Sequence, residues 1–204
     1  MSLSLLLTSL FESKTIPPTY KRAHIIYAII LLGKHEKGIG RYKIKKELTL
    51  GEGSTKTLLN RLKDEGIIAV EDKKQAGHML TKKGKDILAE IRQYFSDPEP
   101  LSNPQNEFVV GNNAAYVFVW AANKASYVQL GITQRDEAIK VGGTGATCSE
   151  FNGSKFVFSD KVPLEVPIPK EGLKKGDILV LGGGDSSNQA VVASIAAALS
   201  ILKI

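Results

Sequence analysis

The chain has 204 residues, 43% hydrophobic and 24% charged, a globular composition that excludes a collagen-like rod, a long coiled coil and wholesale disorder. One cysteine, Cys148, excludes an internal disulfide framework and a cysteine-rich zinc site, and the three histidines (His24, His35, His78) lack the HExxH spacing of a zinc hydrolase. The net charge is +6, and all of it lies in residues 1–100, with 18 Lys and Arg against 12 Asp and Glu; residues 101–204 hold 9 of each.

A basic bias confined to one half points to a polyanionic partner for that half, with a lysine-rich solvated surface as the plain alternative. No run of 18 uncharged apolar residues occurs, so no membrane span is expected. The start, MSLSLLLTSLF, has no basic n-region and no A-x-A site, and reads as a first helix over residues 3–11. The single free thiol fits a cytoplasmic location.

In chain order, apolar residues recur at helical spacing from Tyr20 to Leu32: Ala23, Ile26, Tyr27, Ile30, Leu31. A short helix follows near Arg41–Leu48, with Tyr42, Ile44, Lys45 and Leu48 related by i, i+3 and i+4. Gly51-Glu52-Gly53 then reads as a turn. Ser54 is the expected N-cap of a third helix, Thr55–Glu65, and Gly66 the expected residue past its end. Leu58, Leu59 and Leu62, joined by Thr55, form its apolar side; Lys56, Thr57, Asn60, Arg61 and Lys63 fill the rest. Ile67–Val70 and His78–Leu80 are short strands around a charged turn containing Lys73 and Lys74. Thr81 caps a last helix, Lys82–Phe95.

This order of elements, with LLNRLKDEGII at 58–68 and LTKKGKDIL at 80–88, resembles the winged helix-turn-helix family, whose MarR- and PadR-type regulators re-enter a helix through L-T-x-x-G after the wing. The resemblance covers about residues 20–95. It implies that residues 54–65 are a recognition helix and 67–81 a wing. The DNA-binding candidates are then Ser54, Thr55, Lys56, Thr57, Asn60, Arg61, Lys63, Lys73 and Lys74, and the partner is double-stranded DNA. Asn suits adenine and Arg suits guanine. The acidic Gly51-Glu52-Gly53 departs from the family's pattern.

Residues 97–106, with three prolines and no periodicity, read as a linker between a head, 1–96, and an α/β domain, 107–204. In the second domain Phe108–Val110 and Ala114–Ala121 read as strands, Gln134–Val141 as a helix capped by Thr133, and Asn152-Gly153 as a hairpin turn. Ile178–Leu181 is a buried strand, and Asn188–Leu202 an apolar helix. Between them Gly182-Gly183-Gly184-Asp185-Ser186 reads as a turn. With Arg135 it is a candidate site for a small anionic effector, since helix amides and a guanidinium both favour an anion. The rival reading is a turn that only caps the helix. Neither a Walker lysine nor G-x-G-x-x-G spacing is present, so no cofactor is expected.

The layout of winged helix, proline linker and α/β domain ending in strand–GGGD–helix resembles an archaeal two-domain family. The fold expected is therefore α+β. The function expected is a DNA-binding transcriptional regulator whose second domain senses an effector or dimerises, acting as a homodimer. The second domain has no histidine and no nucleophile–base pair, so no enzyme is expected. The alternatives are an enzyme or phosphate- or nucleotide-binding protein working through the second domain, and a winged-helix protein–protein assembly module.

Overall fold

The computed structural model describes residues 3–12, 18–70, 77–101, 108, 111–123 and 131–204. The chain divides into two compact units, Met1–Arg92 and Gln93–Lys203.

The first unit carries α1 (Leu3–Phe11), α2 (Arg22–Gly33), α3 (Arg41–Glu47), α4 (Glu52–Asp64), β1 (Ile68–Val70), β2 (His78–Leu80) and α5 (Lys82–Ile91). The order expected from sequence is the order observed. Every residue of α2 from Ala23 to Leu32 is buried, so this helix is the core element rather than one packed along a single stripe. Around it pack α1, through Leu3, Leu6, Leu7 and Leu10, and α5, through Ile87, Leu88 and Ile91. β1 and β2 pair antiparallel, Ile68 opposite Leu80. Thr81 caps α5 as expected: its Oγ1 accepts from the Gly84 amide at 3.1 Å. The glycine of the L-T-x-x-G stretch also has a packing reason. A Cβ on Gly84 would run into the carbonyl oxygen of Ile67, so only glycine lets the first turn of α5 lie on the end of β1.

The second unit is a sheet of β3 (Glu99–Leu101), β4 (Asn113–Val119), β5 (Gly145–Phe151), β6 (Phe156–Val157), β7 (Pro163–Leu164) and β8 (Ile178–Gly184), in the order β3-β4-β8-β5-β6-β7. All its pairings are antiparallel, and the whole chain is α+β. The helices α6 (Ile132–Lys140) and α7 (Ser187–Leu202) accompany it, with α7 packed on β8 and β4 and α6 packed on α7 and β5. The opposite set of side chains forms a core of Leu101, Phe151, Phe156, Leu164, Leu179 and Leu181, with Tyr116 and Phe118 packed against it.

Three boundaries differ from expectation. The expected linker starts with structure: Glu99–Leu101 is an edge strand on β4, with Pro100 opposite Ala115. An edge strand tolerates proline because the side with no amide donor needs no partner. The unit boundary therefore falls before Gln93, and Phe95, fully buried, bridges to Val119 instead of ending α5. Of the expected linker, residues 102–106 lie outside the described residues. The cap of α6 is Gly131, whose amide donates to Gln134 Oε1 at 2.8 Å, not Thr133. The Asn152-Gly153 hairpin is present, with Asn152 Oδ1 accepting from the Ser154 and Lys155 amides at 3.0 Å.

Candidate nucleic-acid interface

α4 begins at Glu52, with Gly51 as its N-cap. The expected cap, Ser54, is inside the helix, its hydroxyl 2.5 Å from that of Thr19. The helix ends as expected at Gly66, which takes φ +66 and so completes the turn without a Cβ in the way. Leu58, Leu59 and Leu62 are buried, and Lys56, Thr57, Asn60 and Lys63 are exposed. The side chains of Lys56, Asn60 and Lys63 make no hydrogen bond or ion pair with other described residues. α3 precedes α4 through the short Leu48–Gly51 turn and adds Arg41, Lys43, Lys45 and Lys46, while Ile44 and Leu48 anchor it inward.

Two expected DNA contacts do other work. Thr55 is fully buried and its hydroxyl donates to the Gly51 carbonyl at 2.9 Å, so it closes the first turn of the helix and faces no partner. Arg61 reaches back to α1: its Nη1 donates to the Leu10 carbonyl at 2.7 Å and the Glu12 carbonyl at 3.0 Å, and its guanidinium lies 5.9 Å from the centre of the Tyr20 ring. It satisfies carbonyls left open at the end of α1, so its guanidinium is engaged within the unit. Replacing Arg61 with Ala should destabilise the first unit by about 2–4 kcal/mol, since hydrogen bonds to charged groups contribute about 1.5–3 kcal/mol each. Urea unfolding measures this, and an unchanged midpoint would put Arg61 elsewhere. Lys73 and Lys74 lie outside the described residues.

Tyr42 follows the arginine that opens α3. It is 71% exposed, and the Arg41 guanidinium lies 5.5 Å from its ring centre. Two residues from Ile44 is 200° around a helix, so the two side chains point apart, a signal present in the spacing itself. Arg41 also donates to Glu52 Oε1 at 3.2 Å, tying the start of α3 to the start of α4. Lys43 Nζ is 2.9 Å from His35 Nε2.

The glycine triplet of the second unit is not a turn. Gly182, Gly183 and Gly184 are buried residues of β8, paired on one side with Ala115, Ala114 and Asn113 and, for Gly182 and Gly183, on the other with Ala146 and Gly145. A Cβ on Gly182 would strike the Ser194 amide and come within 2.5 Å of the Ala190 carbonyl; one on Gly184 would come within 2.6 Å of the Ala190 amide. Gly182 and Gly184 leave the space in which α7 lies against the strand. Ser186 is the N-cap of α7, accepting from the Gln189 amide at 3.3 Å. The Asp185 carbonyl accepts from Asn113 Nδ2 at 3.0 Å. Arg135 is exposed and paired with its neighbour Asp136 at 3.1 Å. The anion site drawn from Arg135, Gly182, Gly183, Gly184, Asp185 and Ser186 is thus replaced by a helix–strand contact and a cap: all three glycines are buried in β8, and the backbone of α7 covers Gly182 and Gly184.

Comparison with known proteins bears on the whole chain. Residues 24–86 match the family described as "PH0730-like, N-terminal domain", and residues 110–201 match a domain of unknown function, DUF4443. The structure is similar to that of hypothetical protein PH0730 from Pyrococcus horikoshii OT3, with a TM-score of 0.70 and 30% identity, over 90% of this chain and 94% of that one. The chain belongs to the PH0730-like family. No curated protein matches it. The archaeal two-domain resemblance read from sequence therefore holds at the level of family. The PH0730-like match runs from α2 into α5 and contains the whole α3–α4 surface; α1 and β3 fall outside both matched spans.

In the DUF4443 half, Cys148 is buried on β5 opposite Val180, and burial pushes its thiol up to about 12. The thiolate is the reactive form, so Cys148 should stay inert to a thiol reagent at pH 8 until the chain is unfolded. Rapid labelling of the native chain would contradict its placement.

No helix among the described residues is long and apolar enough to cross a membrane, and no group of three or more His, Cys, Asp or Glu among them could hold a metal ion.

Proposed function

We propose that the first unit is a winged helix-turn-helix that binds double-stranded DNA through α4 and the cationic residues of α3, and that the chain is a transcriptional regulator. The observation that carries this reading is the division of α4. Its apolar side is buried in a unit that holds the chain's whole excess of positive charge. Its outward side presents Lys56, Thr57, Asn60 and Lys63 to solvent. A helix-turn-helix lays such a helix in the major groove, while the preceding helix crosses the backbone. Lys and Arg contacts to phosphate then supply most of the affinity. The β1–β2 pair takes the place of the wing.

The role proposed for the second unit is dimerisation, since the buried glycine triplet gives an anion no access. α7 is buried within its own unit from Ala190 to Leu199 and leaves little surface for such a contact. Reading two half-sites still requires two copies.

The test is a titration of the full-length chain with duplex DNA at several salt concentrations. Binding should weaken linearly in log–log form with a slope of about −0.9 per phosphate contacted. Binding that is absent at low salt, or indifferent to salt, would overturn the reading.

A further inference from the structure

A cavity of about 270 Å³ opens in the first unit between the end of α2, β2 and α5. None of its lining residues lies on α3 or α4, so it is separate from the surface proposed to meet DNA. Its floor is apolar: Leu32, Leu80 and Leu88 are buried there, beside the half-buried Met79. Gly33, the last residue of α2, belongs to this floor for a packing reason. A Cβ on it would strike Leu88 Cδ2, so a side chain there would displace part of the floor.

The rim carries both signs of charge. Glu36 follows the end of α2, and Lys85 stands on the exposed side of α5; both are exposed. Neither side chain makes a hydrogen bond or ion pair with other described residues. Arg92, at the end of α5, adds a second cation to the rim. Ligand pockets for drug-sized molecules begin at roughly 300 Å³, so this one suits a smaller molecule and would not enclose a nucleotide. An apolar anion would set its carboxylate near Glu36 with nothing to offset the repulsion, and an apolar amine would do the same beside Lys85 and Arg92. A small zwitterion with an apolar body satisfies the floor and both signs of the rim. We infer that this cavity binds a free amino acid with an apolar side chain. The side chain lies on Leu32, Leu80 and Leu88. The ammonium donates to the Glu36 carboxylate, and the carboxylate accepts from Lys85, with Arg92 beside it.

Thermal unfolding of the full-length chain with added ligand tests this. Millimolar leucine, methionine or phenylalanine should raise the melting temperature, because a ligand of the folded state stabilises it by mass action. Isocaproate, which is leucine without the ammonium, and isoamylamine, which is leucine without the carboxylate, should raise it less. Glu36→Gln should melt as the wild type does without ligand, weaken leucine by about fivefold as exposed charges allow, and erase the preference for leucine over isocaproate. Lys85→Gln should narrow the preference over isoamylamine. A charge that only keeps the surface solvated would not respond to the matching group on the ligand. Ala89→Trp, on the exposed side of α5 at the cavity, should abolish the shift. No shift with any of the three amino acids overturns the inference. So does isocaproate matching leucine on the wild type, which would make this an anion site, or a Glu36→Gln chain that keeps the preference. None of these results bears on the DNA reading.

Discussion

Replacing Gly182 with valine should unfold the second unit at temperatures where the wild type is intact. Gly182 lies in β8, between β4 and β5, and its missing Cβ faces α7. The atoms a Cβ would meet are backbone: the Ser194 amide, the Ala190 carbonyl at 2.5 Å and Ser194 Cα at 2.8 Å. No side-chain rotation relieves such a clash. The helix must lift off the strand, which opens space around Val180, Ala193 and Ile195, all buried. Overpacking alone costs about 1–3 kcal/mol, and the voids left by a lifted helix add to it. Alanine should already cost about 3–5 kcal/mol, at the high end for single substitutions, and valine more. The total stability of a domain is only about 5–15 kcal/mol. Circular dichroism melts of Gly182→Ala decide this; a melting temperature within a degree or two of wild type would mean that α7 does not rest on β8 as described.

The second large effect is with pH. His24, in the first turn of α2, is 4% exposed, and its Nδ1 accepts from the Lys21 amide at 2.9 Å. Burial lowers its pKa to about 4, whereas the unfolded chain titrates near 6.5. Between those values the unfolded state binds a proton that the folded state refuses. Stability is therefore fully present above pH 6.5, falls as pH drops toward 4, and loses about 3 kcal/mol over that window from this group. His78, also pushed down by burial, acts in the same direction. Urea midpoints from pH 7.5 to 4.5 should slope less in a His24→Asn chain, whose amide oxygen can still accept from Lys21. Parallel curves for the two chains would show that His24 is solvated.

The head was legible because its signals are local. Thr81 caps where it stands, Gly66 ends α4, and α1 and β2 occupy the residues expected of them. The misreadings came where distant groups decide. Arg61 sits on the polar side of its helix by wheel geometry, but its partners are carbonyls some 50 residues earlier, which spacing cannot show. The Gly182–Gly184 triplet carries a turn composition, yet the α7 backbone at Ala190 and Ser194 leaves Gly182 and Gly184 no room for a side chain, so glycine there is a packing choice within a strand. Pro100 looked like linker because proline is excluded from central strands, and β3 is an edge. For the candidate interface, sequence placed Lys56, Thr57, Asn60 and Lys63 on the outward side of α4, where they are. The exposure of Tyr42 follows only when it is set against the buried Ile44, two residues on.

The most direct measurement of DNA binding by the α4 surface compares two double variants of the full-length chain that remove the same charge from different places. Lys56→Ala with Lys63→Ala strips α4, and Lys174→Ala with Lys175→Ala strips an exposed loop of the second unit. Fluorescence anisotropy with a labelled duplex at fixed salt should show the first pair weakening binding by roughly tenfold or more, about 1.4 kcal/mol, and reducing the salt slope by up to about two phosphate contacts. The second pair should bind as the wild type does. Equal losses from both pairs would contradict the interface, because they would make net charge, and not α4, the source of any affinity.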